Sequence, residues 1–61
     1  MRYNELERML RKAGCYIADE GKRHTMWYSP ITDQTFPVPR HKGQEAKNGT
    51  VNSILKAAGL K

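Results

Sequence analysis

Two stripes of apolar residues, one near each end of the chain, constrain the fold more than any other feature of the sequence. Each stripe follows the spacing i, i+3, i+4 and i+7, and the two consist of Leu6, Met9, Leu10 and Ala13, and of Val51, Ile54, Leu55 and Ala58. This spacing places each set on one side of an α-helix. Because such a helix must bury its apolar side against another layer, the segment between the stripes has to supply that layer.

Capping residues set the expected ends of both helices. The first helix is predicted over residues 5–13, with Asn4 as its N-cap and Gly14 in the left-handed position that ends it. The second is predicted to begin after Thr50 as N-cap and to stop at Gly59.

Three segments between the helices are predicted to be β-strands. Their sequences are CYIADE, RHTMWYS and TFPVP, at residues 15–20, 23–29 and 35–39. Short turns at Gly21–Lys22 and Pro30–Asp33 would join them as antiparallel neighbours. Pro37 cannot donate a backbone hydrogen bond, which predicts that the third strand lies at a sheet edge. The expected fold class is therefore α+β: a two-layer α-β-β-β-α sandwich with both helices on one face of a three-stranded antiparallel sheet.

The second strand contains two neighbouring aromatic residues, Trp27 and Tyr28. Neighbours in a strand point to opposite faces, so at most one of them belongs to the core. The other would be free to stack on a base or to contact a protein partner. The sequence leaves open which residue takes which place.

A chain of 61 residues is expected to form a single domain, residues 1–61, with a thin core. Such a domain has little room for a deep pocket, which favours polymers or protein partners over small cofactors. Cys15 is the single cysteine and cannot form an internal disulfide, and the chain shows neither a signal-peptide pattern nor an apolar run long enough for a membrane span. A cytoplasmic protein is expected.

The distribution of charge indicates a polyanionic partner. The net charge is +5, yet within residues 1–21 four basic residues balance four acidic ones. From Lys22 onward, seven basic residues stand against two acidic ones. An excess of basic over acidic residues that is confined to one part of the chain is typical of a surface that neutralises phosphate groups.

The residues that could carry chemistry are few. His24, His41 and Cys15 lack the spacing of a metal site, and the glycines match no nucleotide-binding motif, so no metal and no cofactor is expected. His24 directly follows Lys22 and Arg23. An imidazole exchanges a proton near neutral pH, and the cations could hold a phosphodiester beside it, a combination that suits RNA cleavage. The residues alone equally allow His24 to be a solvated side chain next to a turn.

Three segments in order carry a resemblance to a known family. They are GKRHTMWYSP at residues 21–30, FPVPRH at 36–41 and NGTVNSILKAAGL at 48–60. Together they resemble the HicA toxin family of bacterial type II toxin–antitoxin systems over nearly the whole chain. The resemblance implies a double-stranded-RNA-binding-domain-like fold and a ribosome-independent mRNA endonuclease that a HicB-type antitoxin inhibits.

The resemblance also implies a role for His24, and the residues themselves suggest further candidates. His24 corresponds to the catalytic histidine of the family, although many members carry G-S-x-H or a run of histidines where this chain has Lys22-Arg23 before a single histidine. His41 is the remaining histidine and is a candidate for a second acid/base or a phosphate contact. The basic residues expected to line the path of a single-stranded mRNA are Lys22, Arg23, Arg40, Lys42 and Lys47.

Two other functions remain open on the sequence. One is a non-catalytic RNA-binding module that uses the same fold and the same basic face. The other is a protein-interaction domain whose basic face meets an acidic partner, a function that is compatible with a toxin bound by its antitoxin.

Overall fold

The computed structural model describes residues 1–41 and 43–61. It contains two helices and three strands in the predicted order: α1 (Tyr3–Lys12), β1 (Tyr16–Glu20), β2 (His24–Ser29), β3 (Gln34–Pro39) and α2 (Asn48–Ala58). The strands form one antiparallel sheet in the order β1-β2-β3. The predicted α+β fold class and architecture are confirmed.

Both helices begin earlier than their predicted caps. The N-cap of α1 is Arg2, whose backbone N–H donates to the Glu5 carboxylate at 3.2 Å, and not Asn4. The earlier start brings the Tyr3 side chain into the core, where it is buried. The N-cap of α2 is Lys47, so Thr50 lies within the first turn of that helix and does not cap it.

Contacts between distant parts of the chain explain the early start of α2. Arg2 forms an isolated antiparallel bridge with Glu45, and the N–H of Ala46 donates to the Met1 carbonyl at 2.8 Å. These contacts hold the segment just before α2 against the start of α1. A side-chain cap at Thr50 would stabilise a later helix start by only about 1 kcal/mol, which is little compared with these contacts.

The ends of both helices agree with the sequence. Gly14 and Gly59 have positive φ, +94° and +83°, as expected for glycines that terminate helices. At Gly59 a side chain would also meet Ile31, because a Cβ atom there would lie 2.6 Å from Ile31 Cγ2.

The core lies between one face of the sheet and the two helices. From the sheet, Trp27, Phe36 and Val38 point into it, and from α1 Leu6 and Leu10 are completely buried. The predicted stripe of α2 is buried throughout: Val51, Ile54, Leu55 and Ala58. The prediction that all four stripe residues of α1 face the core is partly wrong, because Met9 is exposed.

The structure also settles which aromatic residue of β2 is in the core. Trp27 is 1% exposed and lies between Ile17 of β1 and Phe36 of β3 in the sheet. Tyr28 lies on the opposite face, which neither helix covers. Pro37 lies in β3, an edge strand, as predicted.

Two hydroxyl groups fix α2 against the sheet. Ser29 Oγ donates to the Ala58 carbonyl, and Thr32 Oγ1 donates to the Ala57 carbonyl, both at 2.6 Å. These bonds satisfy carbonyls that a helix leaves free in its last turn. With its C-terminal end held near Ser29, α2 places its first turn near the other end of β2, where His24 lies.

None of the helices in the described ranges is long and apolar enough to cross a membrane.

Candidate active site

His24 is the first residue of β2 and is exposed. Its carbonyl accepts a hydrogen bond from the Gly21 N–H at 3.0 Å, which closes the turn between β1 and β2. Along β2 the buried positions are Thr25, Trp27 and Ser29, so His24 belongs to the alternate set on the uncovered face of the sheet. The turn therefore presents the imidazole at the end of the central strand, open to solvent.

A groove of 560 Å³ runs between the edge strand β3 and helix α2, and His24 lies along its wall. The sheet contributes Pro37 and Pro39 beside His24, and the helix contributes Gly49, Thr50 and Ser53. Proline lacks a backbone N–H, so this edge is poorly suited to pairing with a further strand. The groove is open to solvent, which suits a polymer.

The first turn of α2 gives its end of the groove a positive electrostatic potential. Within the described residues, the N–H groups of residues 48–50 have no hydrogen-bond acceptor, and the first turn contains no acidic residue. Nothing lies within 4 Å of the place where a side chain on Gly49 would begin. Exposed N–H groups at a helix N-terminus favour anions, including phosphate.

Sequence analysis missed this contribution of α2. Thr50 was expected to cap the helix from outside its first turn, whereas it lines the groove together with Gly49 and Ser53. A usable signal was present, since residues 46–61 contain lysines but no acidic residue. Acidic residues are common in the first turn of helices, and their absence leaves the dipole free for an external anion.

Three of the predicted basic residues are chain neighbours of elements that line the groove. Lys22 and Arg23 are exposed in the turn directly before His24, and Lys47 is exposed as the N-cap of α2. Lys42, also predicted to contact RNA, lies outside the described residues. The RNA contacts of all of them remain predictions.

Arg40 has a structural contact that the sequence did not predict. Its Nε donates to Thr25 Oγ1 at 3.0 Å, and its Nη2 donates to the Gly21 carbonyl. Thr25 is buried on the core side of the sheet. The guanidinium thus ties the end of β3 to the turn that carries Lys22 and Arg23. A contact with RNA, as predicted for Arg40, would have to use its remaining donors.

We expect Arg40→Ala to loosen this turn. A hydrogen bond to a charged group is worth about 1.5–3 kcal/mol. Because Arg40 is exposed and solvent weakens such bonds, we expect its replacement to lower the free energy of unfolding by about 1 kcal/mol in total. Amide hydrogen exchange at Gly21 should become faster, because its N–H bond to His24 closes the same turn. Arg40→Lys should not restore slow exchange, since an ammonium group lacks the planar fork of donors.

Arg8 provides the matched control, since it is exposed on α1 and no side-chain hydrogen bond is seen for it within the described residues. Arg8→Ala should leave exchange at Gly21 unchanged. Slow exchange at Gly21 in Arg40→Ala would show that the guanidinium does not hold the turn.

His41 follows Arg40 after the end of β3 and contacts the start of α1. Its ring packs edge-on against Tyr3, with 6.2 Å between ring centroids and 63° between ring planes. The residues that line the groove do not include it. The structure therefore places the His41 ring beside the start of α1, outside the set of residues that line the groove with His24. His41 stays a candidate for a second acid/base or a phosphate contact, and the His41→Ala variant distinguishes these roles from a structural one.

The uncovered face of the sheet carries two tyrosines, Tyr16 and Tyr28, whose ring centroids are 5.2 Å apart. The Tyr28 hydroxyl donates to the Asp33 carboxylate, and this bond raises the pKa of the phenol above its usual value of 10.0. Tyr28 therefore stays protonated at neutral pH and is poorly suited to be a general base.

Comparison with known proteins identifies the family. A family model described as the HicA toxin of bacterial toxin-antitoxin systems matches residues 3–60. The chain belongs to the HicA toxin family. The match includes every helix and strand of this HicA chain, together with His24 and the groove beside it. Searches of curated proteins and of solved structures returned no match to it.

Proposed function

We propose that this HicA chain is the toxin of a type II toxin–antitoxin system and that it cleaves single-stranded mRNA without a metal ion, with His24 as general acid or base. We further propose that a HicB-type antitoxin inhibits it. The observation that supports the proposal is the position of His24, exposed on a groove whose other wall is the open first turn of α2.

RNA cleavage demands little of the protein, because the attacking group belongs to the substrate. A base removes the proton of the ribose 2′-hydroxyl, the 2′-oxygen bonds to phosphorus, and the bond from phosphorus to the 5′-oxygen breaks. An acid then supplies a proton to that 5′-oxygen, leaving a 2′,3′-cyclic phosphate and a free 5′-hydroxyl. One imidazole can perform either proton transfer, which contributes typically 10²–10⁴-fold to the rate.

Positive groups around His24 supply the second requirement, which is stabilisation of the charge that builds up on the phosphate oxygens. Lys22 and Arg23 precede His24 in the turn, and Lys47 precedes the free N–H groups of α2. Donors that are held in place before the reaction, as the backbone N–H groups of α2 are, typically contribute 10²–10³-fold each. A phosphodiester in the groove would lie between the first turn of α2 and the imidazole.

The same geometry suggests how an antitoxin would act. A protein segment that fills the groove would cover His24 and compete with RNA for the positive groups. Acidic side chains on such a segment would complement the lysines and arginine at this end. Inhibition would then require no change in the fold of the toxin.

The proposal is tested by incubating the purified protein with an end-labelled single-stranded RNA, with and without EDTA. We expect cleavage in both reactions, with products that end in a cyclic phosphate. Bound but uncleaved RNA would favour the non-catalytic RNA-binding module, and cleavage that stops with EDTA would contradict the metal-free mechanism. In cells, expression should arrest growth, and co-expression of a HicB-type partner should restore it.

A further inference from the structure

The sheet face that the helices leave uncovered carries an aromatic pair that the proposed chemistry does not use. We infer that Tyr16 and Tyr28, here called the tyrosine platform, form a stacking site for bases of a single-stranded RNA whose backbone reaches His24. The inference rests on the proposed function, because the RNA is the substrate of that reaction.

The two rings are available for stacking. Tyr16 of β1 lies directly opposite Tyr28 of β2 in the sheet register, and their ring planes are inclined by 43°. Tyr16 is 53% exposed, although burial of a large aromatic side chain would stabilise the protein. Every base has an aromatic face, so exposed tyrosines on a sheet can hold unpaired bases regardless of sequence.

Tyr28 is held in place before any ligand binds. Its hydroxyl donates to Asp33, and the backbone N–H of Asp33 donates to the Ser29 carbonyl at 2.8 Å, at the far end of β2. The ring therefore loses little conformational freedom when a base stacks on it. Side-chain ordering is one of the costs of binding, and a side chain ordered in advance avoids it.

The platform is continuous with the candidate active site. His24, Met26 and Tyr28 occupy alternate positions of β2 and share one face of the sheet. With a rise of about 3.3 Å per residue, the four-residue step from His24 to Tyr28 spans roughly 13 Å. An extended strand of a few nucleotides that lies along β2 can therefore place a base on the rings and a phosphate beside His24.

Charge favours a base over a phosphate at the platform. Asp33 contacts Tyr28, and Asp19 is paired with Met26 in the sheet, so acidic groups flank the rings. These groups repel phosphates, whereas the basic turn with Lys22 and Arg23 lies at the His24 end of the strand. The bases of the RNA thus fit the tyrosine end of this face, and its phosphate backbone fits the His24 end.

The platform is small for a protein interface. In the described strands, its apolar neighbours on this face include Met26, Pro37 and Pro39, whereas a stable protein complex uses about 20–30 residues on each side. A nucleobase needs only a ring or two. The size of the platform therefore favours RNA over a protein partner.

The test measures binding of a 2′-O-methyl single-stranded RNA, which lacks the attacking hydroxyl and stays intact with the wild-type protein. Tyr16→Ala and Tyr28→Ala should each weaken binding by about fivefold or more, the lower end of the range for base–aromatic stacking. Tyr16→Phe and Tyr28→Phe keep the rings and should stay within about twofold of the wild type. The slope of log affinity against log salt should not change in the alanine variants, because the phosphate contacts remain.

Two controls separate stacking from loss of fold. Inorganic polyphosphate has charge but no bases, so the alanine variants should bind it as the wild type does. Met9 is another exposed apolar residue, located on α1, and Met9→Ala should bind RNA normally. Tyr16 lies in an edge strand and is the more exposed ring, so Tyr16→Ala decides the test if Tyr28→Ala does not fold.

The outcomes are distinct. Absence of RNA binding by the wild-type protein would overturn the proposed function itself. Normal RNA binding by both alanine variants would overturn the platform and leave the proposed function standing. If the alanine variants lost polyphosphate binding as much as RNA binding, the platform would also be overturned. If they bound RNA normally but bound a HicB-type antitoxin more weakly, this face would be assigned to the protein partner instead.

Discussion

Replacing His24 with alanine is expected to abolish RNA cleavage and growth arrest, while the thermal unfolding midpoint stays close to that of the wild type. The imidazole is exposed, and the hydrogen bond that His24 makes in its turn, among residues 1–41 and 43–61, uses its backbone carbonyl. Its removal therefore costs the fold little. Loss of a general acid or base should lower the cleavage rate by about 10²–10⁴-fold. The measurement is the single-turnover cleavage rate, with circular dichroism melts on the same samples.

His41→Ala is the matched control, since it removes the other histidine of the chain. We expect it to lower stability slightly, because the ring packs on Tyr3, and to leave the cleavage rate within a fewfold of the wild type. Equal loss of cleavage in a folded His41→Ala variant would mean that both histidines transfer protons. Full activity of His24→Ala would refute the proposed mechanism.

Trp27→Ala is expected to leave most of the protein unfolded at 25 °C. Trp27 is 1% exposed at the centre of the sheet, and the guanidinium of Arg11 lies 5.0 Å from its ring centroid. Replacing a buried tryptophan with alanine typically costs about 3–5 kcal/mol. A core of this size rarely supplies more than about 3–5 kcal/mol of net stability, so the loss is comparable to the whole.

Tyr28→Ala provides the contrast from the same strand. Its ring lies on the uncovered face and leaves no cavity in the core when removed. Far-ultraviolet circular dichroism and the dispersion of amide signals in NMR spectra should show a folded Tyr28→Ala and an unfolded Trp27→Ala. A cooperative melt of Trp27→Ala near the wild-type midpoint would contradict the assignment of the core.

Much of the candidate site was within reach of the sequence. The position of His24 at the start of a strand follows from the glycine turn and the aromatic run around it, both of which are local signals. The exposed Lys22 and Arg23 follow from the same turn. The contribution of α2 did not follow, because it depends on where the helix begins, and contacts of Met1 and Arg2 with the preceding loop set that point.

Arg40 and His41 show the same limit. Both are basic residues after the third strand; the sequence predicts an RNA contact for Arg40 and a second acid/base or a phosphate contact for His41. In the structure the guanidinium of Arg40 bonds to Thr25 and Gly21, and the ring of His41 packs on Tyr3. Each of these partners is at least 15 residues away in the chain, so no local pattern could reveal it.

The amino-acid sequence by itself determined the order of the elements, the sheet edge at Pro37 and the buried side of α2, because helical and strand periodicity and turn chemistry act over a few residues. Tertiary structure alone decided that Trp27 and not Tyr28 is buried. It also decided that the first turn of α2 lines the same groove as His24. The physical reason is that alternation along a strand specifies two faces but not which of them is covered. The packing of both helices on a single face makes that choice.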